Sequence, residues 1–267
     1  KDAKWSLVRL EAFDKEGKPK EEKLAEGEEL ATGKLNELRN ALGDLKIVDV
    51  ARKPSGLSAE LKAEESFTND RESVTSMQQR GFLPLKTGEI LSTDGETIVG
   101  MKDGVEYVLR FGAATTVAGD SKGDDEDGKK AGDGKQATGE TSGRYLLVMA
   151  RTNEGLLEKP QMEPVPELPA GVDAAAAEKK DAAEELKKAD EEEAKTQAAV
   201  EERRRVEREN RRKQEEYDRK LEAARKRVRE LNARFADWFY VVSDAECGKI
   251  RLDRAAVVQK KPAEETK

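Results

Sequence analysis

Basic side chains within one predicted helix are the residues of this sequence whose type and spacing could do chemistry. Arginine and lysine bind carboxylate and phosphate oxygens, so a cluster of them could recognise an anionic partner. Interleaved Glu207 and Glu209 and the net charge of -7 instead favour a solvated, ion-paired helix and argue against nucleic acid. We therefore predict a solvated helix whose basic side chains form a possible interaction surface, with anionic lipid headgroups as a weaker alternative partner. Its residues are Arg203, Arg204, Arg208, Arg211, Arg212 and Lys213.

An acidic, glycine-rich segment at 119–143 is the second candidate site. Carboxylate oxygens bind hard cations such as calcium, but the EF-hand register is missing here, and the glycines do not form a phosphate-binding loop. The segment is almost devoid of apolar residues, so we predict a disordered loop between two strands, without a metal. Its carboxylates are Asp120, Asp124, Asp125, Glu126, Asp127 and Asp133.

The residue types that most enzymes depend on are scarce in this chain. It contains no histidine, which removes the commonest general base and the commonest metal ligand. Its one cysteine, Cys247, excludes an internal disulfide, and we expect a semi-buried structural thiol. Paired carboxylates such as Glu184 and Glu185 lie on charged helix, where solvent should leave them inert. We predict a non-enzymatic protein with no catalytic residue and no cofactor.

The stretch 89–112 predicts the β-sheet that organises the chain. Three β-type runs at 90–92, 97–101 and 105–111 are separated by Asp-Gly pairs, which favour hairpin turns, so we predict one antiparallel meander. Further strands are predicted at 4–13, 45–50, 82–85, 144–151 (a central strand) and 238–242. Helices are predicted at 33–43 (capped by Thr32), 71–80 (capped by Asn69 or Asp70) and 244–252 (capped by Ser243), with a second turn near 253–258. Residues 14–29 are predicted to be a loop, and 58–65 a short helix or turn.

A long charged helix is predicted at 172–235, where neither glycine nor proline occurs. Apolar heptad positions occur at its ends but not in its middle, which disfavours a continuous two-chain coiled coil. The stiff proline-rich connector at 159–171 looks too short to return a straight helix to the sheet, so a bend or reversal is predicted near 195–199.

Together these elements predict an α+β protein: an antiparallel β-sheet with flanking helices and an inserted long charged helical arm. The predicted domains are a sheet domain at 1–151 plus 236–260, a connector at 152–172, a helical or coiled-coil arm at 173–235, and a frayed tail at 261–267.

Several strings in this order resemble one family. They are the Trp5-x-Leu7 strand, LNELRNALGDLKIVDV, GLSAEL, QQRGF, VEYVLRFG, RYLLVMA and WFYVVSDAECGKIR, and together they resemble the domain of unknown function 4340 family. The resemblance implies a membrane-anchored, extracytoplasmic bacterial protein with no established enzymatic activity, in some cases encoded beside ABC-type transport or gliding-type components.

The resemblance sets the predicted function and location. We expect a structural or protein-interaction module of the bacterial envelope, in the periplasm. Because the chain starts at Lys1 without methionine, we expect an inner-membrane anchor in a missing N-terminal segment. The alternative is a module that binds a polyanion, either nucleic acid or anionic lipid, through the basic helix at 203–213.

Overall fold

The computed structural model describes residues 4–13, 15, 16, 18–54, 56, 57, 63, 65–118, 140–167 and 189–261. Helices and antiparallel sheets are both present, together with a long helix, and the predicted α+β class is confirmed. The strands are β1 (Leu10–Phe13), β2 (Pro19–Glu22), β3 (Glu28–Leu30), β4 (Ile47–Arg52), β5 (Phe82–Pro84), β6 (Ile90–Ser92), β7 (Glu96–Gly100), β8 (Val105–Ala118), β9 (Glu140–Thr152), β10 (Trp238–Ser243) and β11 (Val258–Lys260). The helices are α1 (Thr32–Gly43), α2 (Glu65–Asn69), α3 (Arg71–Gln79), α4 (Ala189–Phe235), α5 (Asp244–Ile250) and α6 (Arg254–Val257), with a 3-10 turn at Glu154–Leu156.

The chain divides into two compact units. The first unit comprises Lys1–Val99, Tyr107–Ala150 and Leu231–Lys267, and the second comprises Gly100–Glu106 and Arg151–Glu230.

A five-stranded sheet organises the first unit, in the order β4-β10-β9-β8-β7. β9 is its middle strand, which confirms the prediction of a central strand at 144–151. Leu146 and Leu147 are both buried, although successive side chains of a strand point to opposite faces. The continuous apolar run of β9 therefore reflects burial on both faces of the sheet.

Two hydrophobic clusters account for this double burial. One contains Ala63, Phe67, Met77, Phe82, Ile90, Leu147 and Phe239. The other contains Ala41, Leu109, Phe111, Leu146, Val242, Cys247 and Ile250. The first cluster joins α2, α3, β5 and β6 to the sheet, and the second joins α1 and α5 to it.

The predicted three-stranded meander is wrong in one respect. β7 and β8 form the expected hairpin, closed by a hydrogen bond from the Met101 amide to the Val105 carbonyl oxygen. β6 instead pairs with β5 in a separate two-stranded sheet. Gly95 has a positive φ of 91°, as an Asp-Gly turn requires, but it joins two sheets rather than two strands of one hairpin. The choice of partner follows from Phe82 and Ile90, which bury their side chains in the same cluster.

Local signals at the helix ends give mixed results. Asp70 caps α3 and accepts hydrogen bonds from the Glu72 and Ser73 amides, so that alternative is confirmed. Thr32 is not the cap of α1, because Ala31 occupies the cap position. Ser243 occupies the cap position of α5, but its side chain makes no capping hydrogen bond there.

The predicted loop at 14–29 contains strands, and that prediction is wrong. β2 pairs with β1, and β3 pairs with β11 near the C-terminal end of the chain. The Arg254 guanidinium donates to the Glu28 carboxylate beside β3, at 2.7 Å. β3 and β11 are more than 200 residues apart in the chain, so the charged segment at 14–29 carries no local sequence pattern that predicts their pairing.

Some predictions fall partly or wholly outside the described residues. The first predicted strand is shorter than expected, because β1 begins at Leu10. In the predicted acidic loop, residues 140–143 belong to β9, and 119–139 lie outside the described residues. The same holds for 58–62 and 64, for the arm at 173–188, and for 262–267 of the predicted tail.

Lys53 is a buried cation beside the end of α4. Its ammonium group donates a 2.9 Å hydrogen bond to the Phe235 carbonyl oxygen, at the negative end of the helix dipole. Burial lowers the pKa of Lys53 to about 8 from an ordinary value of 10.5, and the charge of Asp237 opposes this shift.

This lowered pKa predicts a stability that rises with pH. Below pH 8 the Lys53 ammonium is charged in the folded and in the unfolded protein, and the cost of burying this charge is fully present. Between pH 8 and 10.5 the unfolded chain binds a proton that the folded chain does not, so the free energy of unfolding rises with pH. The pKa difference corresponds to about 3 kcal/mol. We expect urea denaturation to show the free energy of unfolding of the wild type rising by up to this amount relative to Lys53→Met.

The comparison with Lys53→Met is needed because Cys247 acts in the opposite sense. Burial raises the pKa of its thiol to about 11 from 9.0, so its contribution to stability falls as the pH rises through that window. Both proteins keep Cys247, and its effect cancels in the difference. Parallel stability curves for the two proteins would contradict the assignment to Lys53.

Candidate interaction surface on the long helix

The long helix α4 runs unbroken through 195–199, and the prediction that the chain reverses there is wrong. Its 47 residues measure about 70 Å at 1.5 Å per residue. The 36 residues numbered 153–188 can span about 120 Å when extended, which is longer than the helix. A single helix therefore closes the chain between β9 and β10 without a reversal.

Residues 153–167, which we call the connector, run antiparallel along α4 within the second unit. Glu154 forms a salt bridge with Arg225 at 3.1 Å, and Glu163 forms one with Lys213 at 2.8 Å. Further along, the Arg203 guanidinium donates to the Pro166 carbonyl oxygen at 3.5 Å. From Glu154 to Pro166 an extended segment covers about 37 Å, and from Arg225 to Arg203 the helix covers about 33 Å. The matching lengths explain how a proline-rich segment follows the helix.

Asn210 fixes the middle of the connector. Its side-chain oxygen accepts a 2.8 Å hydrogen bond from the Glu163 amide, and its side-chain nitrogen donates to the Glu163 carbonyl oxygen at 2.8 Å. One asparagine thus pairs with a backbone as a neighbouring strand would. Arg203 and Asn210 occupy heptad positions that a coiled coil would fill with apolar residues. They are polar because their side chains bind the backbone of the connector.

The structure separates the predicted basic residues into two groups. Arg203 and Lys213 are half-buried and contact the connector; the hydrogen bond from Lys213 lowers the pKa of the Glu163 carboxyl. The other four side chains are exposed on α4: Arg204, Arg208, Arg211 and Arg212.

Arg208 is the centre of the exposed group. On a helix, the surface neighbours of a residue lie three and four positions away. For Arg208 all four of these neighbours are arginines, and all are exposed. We call this set the arginine face: Arg204, Arg205, Arg208, Arg211 and Arg212. Like charges at this spacing destabilise a helix by a few tenths of a kcal/mol each, and within the set Arg205 also forms a salt bridge with Glu202 at 2.6 Å.

Sequence reasoning missed this centre because it counted charges along the helix rather than around each residue. A census at three and four positions from Arg208 would have found it. The contacts of Arg203 and Asn210 carry no such signal, because their partners lie 37 and 47 residues away.

Cys247 is buried beside a hollow of about 490 Å³, and its raised pKa keeps the thiol protonated at neutral pH. At the rim, Arg144 donates to the Asp244 carboxylate at 2.9 Å and to the Gly112 carbonyl oxygen at 3.0 Å, so it is already paired. The acidic carboxylates at 120–133 lie outside the described residues. Within the described part of the chain, no group of three metal-binding side chains comes together, and no helix is long and apolar enough to cross a bilayer.

Comparisons with family models, with curated proteins and with solved structures give no match to this chain. The resemblance to the domain of unknown function 4340 family therefore stays a prediction.

Proposed function

We propose that this protein is a non-enzymatic interaction module that binds an acidic surface of a partner protein through the arginine face of α4. The observation that carries the proposal is the position of Arg208 among four exposed arginines. A guanidinium group offers five donors in a rigid fork that matches carboxylate geometry, so several adjacent forks suit an acidic protein surface.

The connector supports this proposal by holding one side of the helix. Salt bridges and hydrogen bonds to Arg203, Asn210 and Lys213 occupy that side within the same chain. The arginine face points elsewhere, because its members lie on a different part of the helical wheel. The binding surface is thus carried by a helix that its own connector braces, and a braced helix loses less conformational entropy on binding.

The proposed setting comes from the resemblance described above. That resemblance implies a module of the bacterial envelope, in the periplasm and anchored to the inner membrane. There it would serve as an accessory to an ABC-type transport or gliding-type system.

The second candidate function is binding of a polyanion, either nucleic acid or anionic lipid. Local charge favours it, since five arginines lie together on this face, although Glu202 forms a salt bridge with Arg205 at 2.6 Å. The net charge of -7 repels an acidic protein surface as well as a polyanion, so it does not separate the two candidates.

The test compares two variants with the same change in charge. The first replaces Arg204, Arg208, Arg211 and Arg212 with glutamine. The control replaces a second exposed set on the same helix: Arg219, Lys226, Arg227 and Arg229. Binding of poly-L-glutamate, measured by isothermal titration calorimetry, should weaken about tenfold in the first variant, a loss of about 1.4 kcal/mol, and remain near the wild-type value in the control.

Two further probes separate the candidate functions. A single-stranded oligonucleotide and phosphatidylglycerol vesicles should bind more weakly than poly-L-glutamate at the same ionic strength. If either binds more tightly and loses affinity in the first variant, the polyanion function is favoured. Equal losses in the two variants, or no binding of poly-L-glutamate, would overturn the proposed site.

A further inference from the structure

We propose that the outer edge of β4 accepts an extended segment of a partner protein, with the charge order acidic, basic, acidic, as an added strand of the central sheet. This surface belongs to the first unit and is separate from the arginine face. An added strand pairs through backbone hydrogen bonds, and its side chains select the partner.

β4 has the properties of an open edge. It is the last strand of the five-stranded sheet, and among the described residues it pairs only with β10. Its aliphatic side chains are exposed, with 56% of Ile47, 44% of Val48 and 46% of Val50 accessible to solvent. A long apolar edge of this kind is a template for pairing with another chain.

The backbone of β4 presents an outward donor. The Val50 amide donates to the carboxylate of its neighbour Asp49 at 2.7 Å. The Lys53 amide donates to the Asp237 carbonyl oxygen, and with the regular register from Val50 to Arg52 the alternation of the backbone turns the Val50 amide away from β10. This amide therefore points away from the sheet, toward the space where an added strand would lie. A β-bulge next to it leaves Val48 without a partner in β10. Asp49 covers the donor in the free protein and would release it when a strand is added.

Charge selects a foreign strand over a second copy. The exposed charges here are Lys46, which directly precedes β4, and Asp49 and Arg52 within it, spaced three residues apart. An antiparallel second copy centred on Asp49 would place Asp49 against Asp49 and Lys46 against Arg52, and like charges directly opposite are destabilising. A second copy centred on Val50 would place Asp49 against Ala51 and Arg52 against Val48, and so would gain no opposite-charge pair. A segment with the inverse order places an acid against each cation and a base against Asp49. The pattern thus suits a partner segment of about seven residues with acidic ends.

The probe is the peptide acetyl-Glu-Val-Thr-Lys-Thr-Val-Glu-amide, compared with the charge-reversed acetyl-Lys-Val-Thr-Glu-Thr-Val-Lys-amide. Titration calorimetry on the full chain should give a Kd about tenfold lower for the first peptide, a difference of about 1.4 kcal/mol. Exchanging all three charges in the protein, as Lys46→Glu, Asp49→Lys and Arg52→Glu, should reverse this preference.

Val50→Pro tests the backbone directly. Proline removes the outward donor but leaves the β4–β10 ladder, because proline is tolerated on edge strands whose amide faces solvent. Val50→Thr keeps the amide and serves as the matched control. Val50→Pro should abolish peptide binding with an unchanged circular dichroism spectrum, and Val50→Thr should bind as the wild type does. The proposal is overturned if neither peptide binds, if both bind equally, or if Val50→Pro binds normally.

The glutamine variant of the arginine face is a control that separates the two proposed sites. It should bind the first peptide with the wild-type Kd, whatever its affinity for poly-L-glutamate.

Discussion

Replacing Asn232 with leucine should lower the free energy of unfolding of the first unit by about 3 kcal/mol. Asn232 is 3% exposed, and its side chain accepts a 2.7 Å hydrogen bond from the Ala150 amide and donates to the Ala150 carbonyl oxygen at 2.8 Å. The ladder between β10 and β9 reaches only as far as the Tyr240–Leu146 pair, so Asn232 supplies the partner that a strand would otherwise give. Leucine keeps the number and branching of the side-chain heavy atoms but leaves two buried backbone groups unpaired.

Asn210 offers a matched control for this prediction. It makes the same pair of hydrogen bonds, to the Glu163 backbone, but in an exposed setting. Water can replace the lost partner there, so Asn210→Leu should cost less than about 1 kcal/mol. Urea denaturation followed by far-ultraviolet circular dichroism measures both variants. Equal losses would show that burial does not set the strength of this pairing.

Replacing Gly112 with alanine should destabilise the first unit by about 3 kcal/mol. An added Cβ atom would overlap the Arg80 carbonyl oxygen and lie 2.6 Å from Cζ of Phe82. The carbonyl cannot move freely, because it accepts a 2.8 Å hydrogen bond from the Ala113 amide. Phe82 is fully buried and stacks on Phe239 with ring centroids 5.7 Å apart, so it cannot yield either.

Gly33→Ala is the control for that substitution. An added Cβ at Gly33 meets no atom within 4 Å, and the residue lies in the first turn of α1. Alanine has the higher helix propensity, so this variant should gain about 0.5 kcal/mol. Thermal unfolding should show a lower midpoint for Gly112→Ala and a slightly higher one for Gly33→Ala. A Gly112→Ala protein as stable as the wild type would mean that the β8 backbone can shift away from Arg80.

For the long helix, the charge pattern of the sequence predicts the helix itself but not the contacts of its individual side chains. Composition predicts α4, because alanine, glutamate, lysine and arginine without glycine or proline favour a helix over a long stretch. The same composition does not separate Arg203 from Arg204, although one contacts the connector and the other is exposed. Their roles differ because the connector follows only one side of the helix.

The strands show the same division. β8, β9 and β10 follow from apolar runs, and Asp70 was identifiable as a cap because its partners are two and three residues away. The pairing of β3 with β11 has no such local source, since it depends on where the two ends of the chain meet.

The sequence by itself determined the α+β class, the central strand, the long helix and the turns at Gly95 and Gly104, because propensities, caps and turns act between near neighbours. Only the tertiary structure decided that β6 pairs with β5, that the connector lies along α4, and that Arg208 rather than Lys213 is exposed. Those outcomes depend on packing between residues far apart in the chain, where the closing of long loops and the burial of shared side chains choose among partners that look alike locally.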